Sequence, residues 1–483
     1  MKKSHLATLV AALLLLSAPL TACTQSPAGS DSSDPSEIVT IPEVAAPEKP
    51  DERAFTDLTP YTDNLATLFA VATPAPAEHF TYEIVGEGMP DHLDGTVTIT
   101  GYTGGASVLI IPETIEGCAV TAIAKDAFKD NTVLTAVSVP NTVTSIGVGA
   151  FSGCKSLKSM RTPVFTCDGA PFFGALFGAT TPEANGYSVP TLLSTLVISE
   201  AADAVAPIVI PEAAFYACRN LKIIELPSLT EEIGDFAFYG CQSLEYIVTG
   251  ATRVTSVGRN AFTNCEALLT LDLPATVETL GFAMLEGCGK LESLTLPFVG
   301  GNPSEAETAY LGYLFGAADY TFTAGFLPAS LISVTLLEGC GDIPDNAFFE
   351  CASVREFHLP QGVTAIGRRA FYGCKRLAEM TLPQTVKTIG DDAFHGCVSM
   401  KTFHGGDGLT SLGVQAFMSC VSLTEVSLPA SVTYLPNGCF SGCSALAELT
   451  APGVTSQGQQ VFRHCYKLGA PWIEIAAADT AES

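Results

Sequence analysis

Cysteine is the residue whose number and spacing in this chain most directly suggest chemistry. The 483 residues include 16 cysteines. Eleven recur at one place of a repeated pattern: Cys154, Cys218, Cys241, Cys265, Cys288, Cys351, Cys374, Cys397, Cys420, Cys443 and Cys465. Disulfides are the usual expectation for an exported, cysteine-rich chain. Equivalent repeat positions, however, point their Cβ atoms in parallel, which fits the disulfide dihedral angle poorly. We therefore predict that the column cysteines are buried free thiols. A thiol titration of the unreduced, denatured protein should then detect about fifteen thiol groups.

Signatures of metal binding and catalysis are absent from the sequence. It has no CxxC pair and no HExxH, and the histidines are scattered. It also lacks GxSxG, a P-loop, and a GxGxxG that follows a strand. Folding alone can still bring two carboxylates together. Because the repeat leaves no stretch for a separate catalytic domain, we predict no enzyme, no catalytic residue, no metal site and no cofactor.

Residues 1–22 have the pattern of a secretion signal, with Lys2 and Lys3 before an apolar stretch. The Leu-Thr-Ala-Cys that ends at Cys23 resembles the lipobox of bacterial lipoproteins. That resemblance implies lipidation of Cys23 and a lipid-anchored location outside the cytoplasmic membrane, or on the outer membrane if there is one. A plain cleavable signal with an incidental cysteine is the alternative. No other apolar run reaches the ~18 residues that span a bilayer.

The charge balance limits the partners. Asp and Glu number 50 against 23 Lys and Arg, a formal net charge of −27. Such a surface repels nucleic acid and anionic lipid, so contact with a membrane is expected only through the lipid anchor. Residues 23–79 are predicted to be a lipid-anchored Ser/Pro/acid-rich tether. Within it, Leu58 to Phe69 follow helical spacing, which indicates either a short helix or an apolar but unfolded stretch. Residues 80–118 are rich in β-branched runs and are predicted to form an N-terminal β cap.

A repeated unit of about 23 residues organises the rest of the chain. Its marker is Ala-Phe, or a close variant, at Phe128, Phe151, Phe215, Phe238, Phe262, Phe348, Phe371, Phe394, Phe417, Phe440 and Phe462. One unit cannot bury its own apolar face, so stacked units share a core. We predict a β-rich solenoid over 119–465, with enlarged repeats near 161–205 and 298–340 and a C-terminal cap and tail over 466–483.

Single positions within the unit have separate expected roles. The Phe column should stack as an aromatic spine. The Gly of each Val-x-x-Ile-Gly suits a turn with positive φ. In the enlarged repeats, the aromatic residues either line a groove or fill the core, and we favour the core. They are Phe172, Phe173, Phe177, Tyr310, Tyr313 and Phe315.

These repeats, with Ile-Gly-x-x-Ala-Phe-x-x-Cys-x-x-Leu as their shared pattern, resemble the BspA-like leucine-rich repeat proteins of bacterial surfaces. The resemblance covers about residues 80–465. It implies a curved, elongated leucine-rich repeat solenoid and an exported protein that acts in adhesion or recognition. Members differ widely in ligand, so the resemblance does not identify the partner.

The outward residue near the end of each predicted strand is the best candidate for binding. This exposed column comprises Ser138, Arg161, Glu225, Asp272, Thr295, His358, Thr381, Ser427 and Thr450. Such residues lie side by side, about 4.8 Å apart, and their hydroxyls and charges suit a protein or a glycan. A merely solvated face is the alternative.

We therefore predict a monomeric surface protein that binds a host or microbial surface protein or glycan. The alternatives are a structural spacer or envelope component without a specific ligand and, less favoured, an enzyme or enzyme inhibitor.

Overall fold

The computed structural model describes residues 69, 72–86, 95–202, 204–249 and 252–469. They fall in the second of two units of the chain, Phe55–Ser483. Within it, the chain forms a parallel β-solenoid of about 16 turns with ~23-residue spacing, as the repeat predicts. The signal segment, Cys23, most of the tether with its helical-spacing stretch, and most of the C-terminal cap and tail lie outside the described residues. Among the described ones, no helix combines the length and apolarity needed to cross a membrane.

Each turn supplies one strand to a parallel array that we call the front ladder. It corresponds to the Leu-x-x-Ile-x-Leu-Pro part of the repeat and is divided into three sheets. The first sheet contains Val108–Ile110, Ala136–Ser138, Ser159–Thr162, Thr195–Ile198, Ile223–Glu225 and Tyr246–Val248. The second contains Thr270–Asp272, Ser293–Leu296, Ser333–Leu336 and Glu356–His358. The third contains Glu379–Thr381, Thr402–His404, Glu425–Ser427 and Glu448–Thr450.

The Val-x-x-Ile part of each repeat forms shorter strands, which we call the back ladder. One parallel set is Ile208–Ile210, Thr230–Ile233, Ser256–Val257 and Thr279–Leu280. Two further pairs are Ala365–Ile366 with Thr388–Ile389, and Tyr434–Leu435 with Ser456–Gln457. At the N-terminal end, a 3-10 helix Ala77–His79 leads into an antiparallel hairpin of Phe80–Val85 and Thr96–Tyr102. Thr96–Tyr102 then pairs in parallel with Cys118–Ile123, which also contacts Thr114–Ile115 and Ser145–Ile146.

The phenylalanine column forms the predicted spine. Neighbouring rings stack almost in parallel, with centroids 5.1 Å apart for Phe215 and Phe238 and 5.2 Å apart for Phe238 and Phe262. All three side chains are fully buried. The ring spacing is close to the strand spacing of about 4.8 Å, so one ring per turn fills the centre of the solenoid.

The enlarged repeats keep this spine continuous through 3-10 helices. Phe173–Phe177 lies in the spine after Phe151, and Leu311–Phe315 lies there after Leu285. The enlarged-repeat aromatics are buried, apart from Tyr313, which is half-buried. The expectation that they fill the core is therefore confirmed. The 3-10 helix Ala306–Thr308 precedes the second of these segments. After the segments come the 3-10 helices Pro182–Ala184 and Tyr320–Phe322, each followed by an α-helical turn, Asn185–Ser188 and Thr323–Phe326.

The reason expected for the repeat glycine was wrong. Gly258 and its equivalents do not have positive φ; that conformation falls two residues before and two after the spine residue, as at Arg369 (54°) and Gly373 (68°). A Cβ on Gly258 would instead lie 2.4 Å from the backbone nitrogen of Asp235, in the preceding turn. Glycine is therefore required by the close approach of successive turns.

The cysteine column is buried and its thiols are free, as predicted. Nine of the eleven sulfur atoms donate a hydrogen bond of 3.1–3.3 Å to the carbonyl oxygen of the spine residue one turn earlier. Burial raises the pKa of Cys154 to about 11 and that of Cys241 to about 12. These cysteines therefore serve the packing between turns.

Candidate functional site

The front ladder brings the predicted column together in register. Ser138 pairs with Arg161, and Asp272 pairs with Thr295. Ser427 pairs with Thr450 at the far end. Because the pairing is parallel, each of these residues lies beside its equivalent in the next turn. The remaining members, Glu225, His358 and Thr381, occupy the same position of their own strands.

Five further members of the column were missed from the sequence: Ile110, Val197, Val248, Thr335 and His404. Four of them lie in strands that no proline follows, whereas each predicted member of the column has a proline two residues after it. Ile110 lies in the segment assigned to the cap. Hydrophobic alternation alone, as in Thr195–Ile198, marks these strands.

Exposure along the column is uneven. Arg161, His358, Thr381 and Thr450 are exposed, and Glu225, Asp272, Thr295 and Ser427 are half-buried. Ser138 is only 9% exposed, so the expectation that it is accessible was wrong. Ser138 pairs with Ile110 and Arg161 on the neighbouring strands, and it lines a groove.

The groove covers the first sheet of the front ladder and has a volume of about 1140 Å³. Its lining includes the column residues Ile110, Ser138, Arg161, Val197, Glu225 and Val248. Phe69 and Pro74, from the segment before the solenoid, line it as well. The backbone nitrogen of Ala75 donates to the carbonyl oxygen of Ile110 at 2.9 Å, which holds this segment against the edge of the sheet. The groove is thus an amphipathic surface with one cation, Arg161, and three carboxylates, those of Glu113, Glu200 and Glu225.

Arg161 and Glu225 lie on either side of Val197, which pairs in register with both. Two strand spacings place their backbones roughly 10 Å apart. Burial raises the pKa of the Glu225 carboxyl, and the positive charge of Arg161 opposes that rise. A desolvated carboxylate is stabilised by any donor or cation that a ligand brings.

We expect Glu225→Gln to stabilise the folded protein at pH 7. Because the folded-state pKa of this carboxyl is raised, the wild type loses stability as the pH rises from the usual value of 4.5 through the raised one. The neutral amide avoids that cost. Denaturant midpoints of both proteins at pH 3.5 and pH 7 measure the effect, which should disappear at the lower pH. A midpoint lowered by Gln at pH 7 would contradict the assignment.

The two later sheets of the ladder are more polar. The Thr295 hydroxyl donates to Asp272 Oδ1 at 2.5 Å, and His358 Nε2 lies 3.7 Å from Glu356 Oε2. Exposed carboxylates adjoin the column on four of the later strands, at Glu356, Glu379, Glu425 and Glu448. No group of three or more potential metal ligands occurs among the described residues. The front ladder therefore changes from an amphipathic groove to an acidic, hydroxyl-rich face.

Comparison with solved structures finds other leucine-rich repeat proteins. A protein from Bacteroides ovatus ATCC 8483 shares 22% identity over 81% of this chain and 92% of its own, with a TM-score of 0.33. A leucine rich cell surface protein from Faecalibacterium prausnitzii A2-165 shares 24% over 81% and 97%, with a TM-score of 0.32. The pneumococcal vaccine antigen PcpA shares 18% over 81% and 89%, with a TM-score of 0.26. No curated protein matches the chain.

The repeats themselves match a family model. The BspA type leucine rich repeat region is found in six copies, at residues 119–167, 206–300 and 341–469, which together make up more than half of the chain. The proteins of this family are bacterial surface proteins, and their solenoids are typically non-catalytic. The chain belongs to the BspA type leucine-rich repeat family.

Proposed function

We propose that this protein is a lipid-anchored adhesion or recognition protein that binds a partner through the front ladder, without catalysis. Support comes from the family, which consists of bacterial surface proteins, and from the lipobox-like sequence that ends at Cys23. The observation that carries the proposal is the groove of about 1140 Å³ over the first sheet, since it joins predicted column residues to apolar ones.

A protein segment fits this groove best. Ile110, Val197 and Val248 offer apolar contact on three of the six strands, while Arg161 offers a positive charge and Glu225 a negative one. An extended segment across several turns meets both kinds of group, and apolar burial with a few polar contacts is the usual composition of a binding site. The later column members, from Asp272 to Thr450, extend the contact surface with hydroxyls and charges. A glycan is the second class of partner that these polar residues accommodate.

Binding of the secreted chain, with Cys23→Ser, to arrays of matrix proteins, host-cell proteins and glycans tests the proposal. We expect a saturable hit whose affinity falls tenfold or more in Arg161→Ala and Glu225→Ala, a loss of about 1.4 kcal/mol or more. Val414→Ala is the control, because its exposed side chain lies away from the ladder strands. Absence of saturable binding at tens of micromolar would favour a spacer, and saturable binding with equal affinity in all variants would contradict the assignment of the site to the groove.

A further inference from the structure

The part of the chain that precedes the solenoid contacts the groove of the first sheet. Phe69 is α-helical and half-buried, and it lines the groove together with Pro74. The Ala75 backbone nitrogen donates to the carbonyl oxygen of Ile110, in the first strand of the sheet. Ala75 and Ala77 also pack against the hydrophobic core. The chain is therefore fixed at the edge of the sheet, and Phe69 lies at the groove.

The residues immediately before Phe69 lie outside the described ones, but their sequence has the periodicity of an amphipathic helix. Apolar residues recur there at steps of three or four: Leu58, Tyr61, Leu65 and Leu68. Such steps bring the apolar side chains to one face of a helix. The compact unit that contains the solenoid begins at Phe55, ahead of all these residues. Since Phe69 is itself α-helical, the sequence and the structure agree on a helix that reaches this residue.

The spacing of the front ladder matches the pitch of such a helix. Neighbouring strands lie about 4.8 Å apart, and each turn of an α-helix rises about 5.4 Å. A helix that lies across the strands therefore presents one apolar side chain to each of them. The helix from Leu58 to Phe69 would be about 16 Å long. This length is close to the roughly 14 Å that separates the first and fourth strands of the sheet.

The position of Phe69 determines which strand each earlier side chain would meet. Because the segment after Phe69 bonds to Ile110, Phe69 is assigned to the first strand. Leu65 is one helical turn earlier, so it would meet the second strand at Ser138. Ser138 has the smallest side chain among the six column residues of this sheet, which leaves room for a leucine.

The third and fourth strands suit the side chains of the next two turns. Tyr61 would meet Arg161, whose exposed guanidinium group can stack on an aromatic ring. Leu58 would meet the half-buried Val197. The order of the side chains along the segment thus agrees with the order of the strands in the sheet.

We propose that residues 58–68 form a helix that occupies the groove and must be displaced before a partner segment binds there. This competition rests on the function proposed above, whereas the occupancy of the groove does not. Because Phe69 already lines the groove, the segment is present at a high effective concentration. A partner meets only the fraction of molecules whose groove is free, so its apparent affinity is lowered by that fraction.

Hydrogen exchange followed by mass spectrometry measures the occupancy in the secreted chain, with Cys23→Ser. Backbone amides of residues 62–69 should exchange about tenfold or more slowly than those of a free peptide with the sequence of residues 54–69. Tyr61→Ser/Leu65→Ser should raise their exchange to the rate of the peptide, because the apolar face is lost. Val197→Asp should do the same without changing the segment, because it places a charge in the groove.

Val414→Asp is the matched control, because it introduces the same charge at an exposed position away from the ladder strands. Its exchange should equal that of the wild type, and all variants should keep the wild-type circular dichroism spectrum. Exchange at the peptide rate in the wild type would overturn the proposal. Protection that Val197→Asp leaves unchanged would also overturn it, since the segment would then lie elsewhere. Protection that falls on dilution would assign the groove to the segment of a second copy of the chain instead.

The free peptide also reports whether the groove is vacant. Labelled with a fluorophore and followed by anisotropy, it should bind Tyr61→Ser/Leu65→Ser about tenfold or more tightly than the wild type, since the wild-type groove is occupied. Adding Val197→Asp to that variant should abolish the binding. Equal binding of the peptide to the wild type and to the double variant would contradict an occupied groove.

The competition is tested with the partner identified on the arrays. Tyr61→Ser/Leu65→Ser should bind it about fivefold or more tightly than the wild type, and equal affinities would overturn the competition. Arrays without a hit would reject the proposed function and the competition with it. Protection of the segment that depends on Val197 would still establish the occupancy in that case.

Discussion

Replacing Phe238 by Ala should lower the free energy of unfolding by about 3–5 kcal/mol, since this is the range for a buried Phe. The ring is 0% exposed and stacks on Phe215 and Phe262, so its removal leaves a cavity between two turns. The backbones of those turns are held by their ladder bonds and cannot collapse fully into the space. Guanidinium denaturation followed by circular dichroism measures the loss.

Phe322→Ala is the control for this prediction, because it removes the same atoms from a side chain that is 59% exposed. Its effect should stay within about 0.5 kcal/mol, as for most surface changes. Since stability in stacked repeats is transmitted between neighbours, hydrogen exchange should rise most in the turns of Phe215, Phe238 and Phe262. A cost below about 1 kcal/mol for Phe238→Ala would mean that the spine is not a tightly packed core.

Adding a single methyl group at Gly258 should destabilise the protein by about 1–3 kcal/mol or more. The new Cβ would lie 2.4 Å from the Asp235 nitrogen and 2.5 Å from the Gly234 carbonyl carbon. These are backbone atoms, so relief requires the two turns to move apart. Movement would also strain the bond in which the Arg259 backbone nitrogen donates to Asp235 Oδ1 at 2.7 Å.

Gly289→Ala supplies the comparison, because a Cβ there meets nothing within 4 Å. Alanine at a compatible position restricts the unfolded chain and should be neutral or stabilising by up to about 1 kcal/mol. Paired thermal melts of the two variants and the wild type would show the difference. Equal melting temperatures for both variants would contradict the assignment of Gly258 to close turn-to-turn contact.

Repetition explains which parts of this structure could be read from the sequence. Phe238 recurs in equivalent form in nearly every unit, so its place in the core, and that of the cysteine column, can be inferred by comparing copies. The role of Gly258 could not be inferred in this way, since the close approach involves two turns and the sequence of one turn shows only a glycine before a bend. Local conformation was therefore a reasonable but wrong explanation.

The candidate site was less predictable for two physical reasons. Val197 and His404 were missed because their strands lack the terminal Pro, although their hydrogen-bonded register places them in the column. The groove depends on Phe69 and Pro74, which precede the repeats, so no pattern within the repeat indicates it.

The hydrogen bonds from the cysteine sulfurs to the spine carbonyls also give the array a direction. Every such bond points from a turn to the one before it, so it needs a predecessor with a spine carbonyl, as Cys154 has in Phe128. The first copy has Asn131 at this place, and its side-chain oxygen accepts from the backbone nitrogens of Val133 and Leu134 in its own turn. The cysteine side chain therefore connects a turn to the preceding one, whereas the Asn131 side chain bonds to the backbone of its own turn. Units of the cysteine type can be added or lost in the middle of such an array, because each cysteine finds a spine carbonyl in the turn before it.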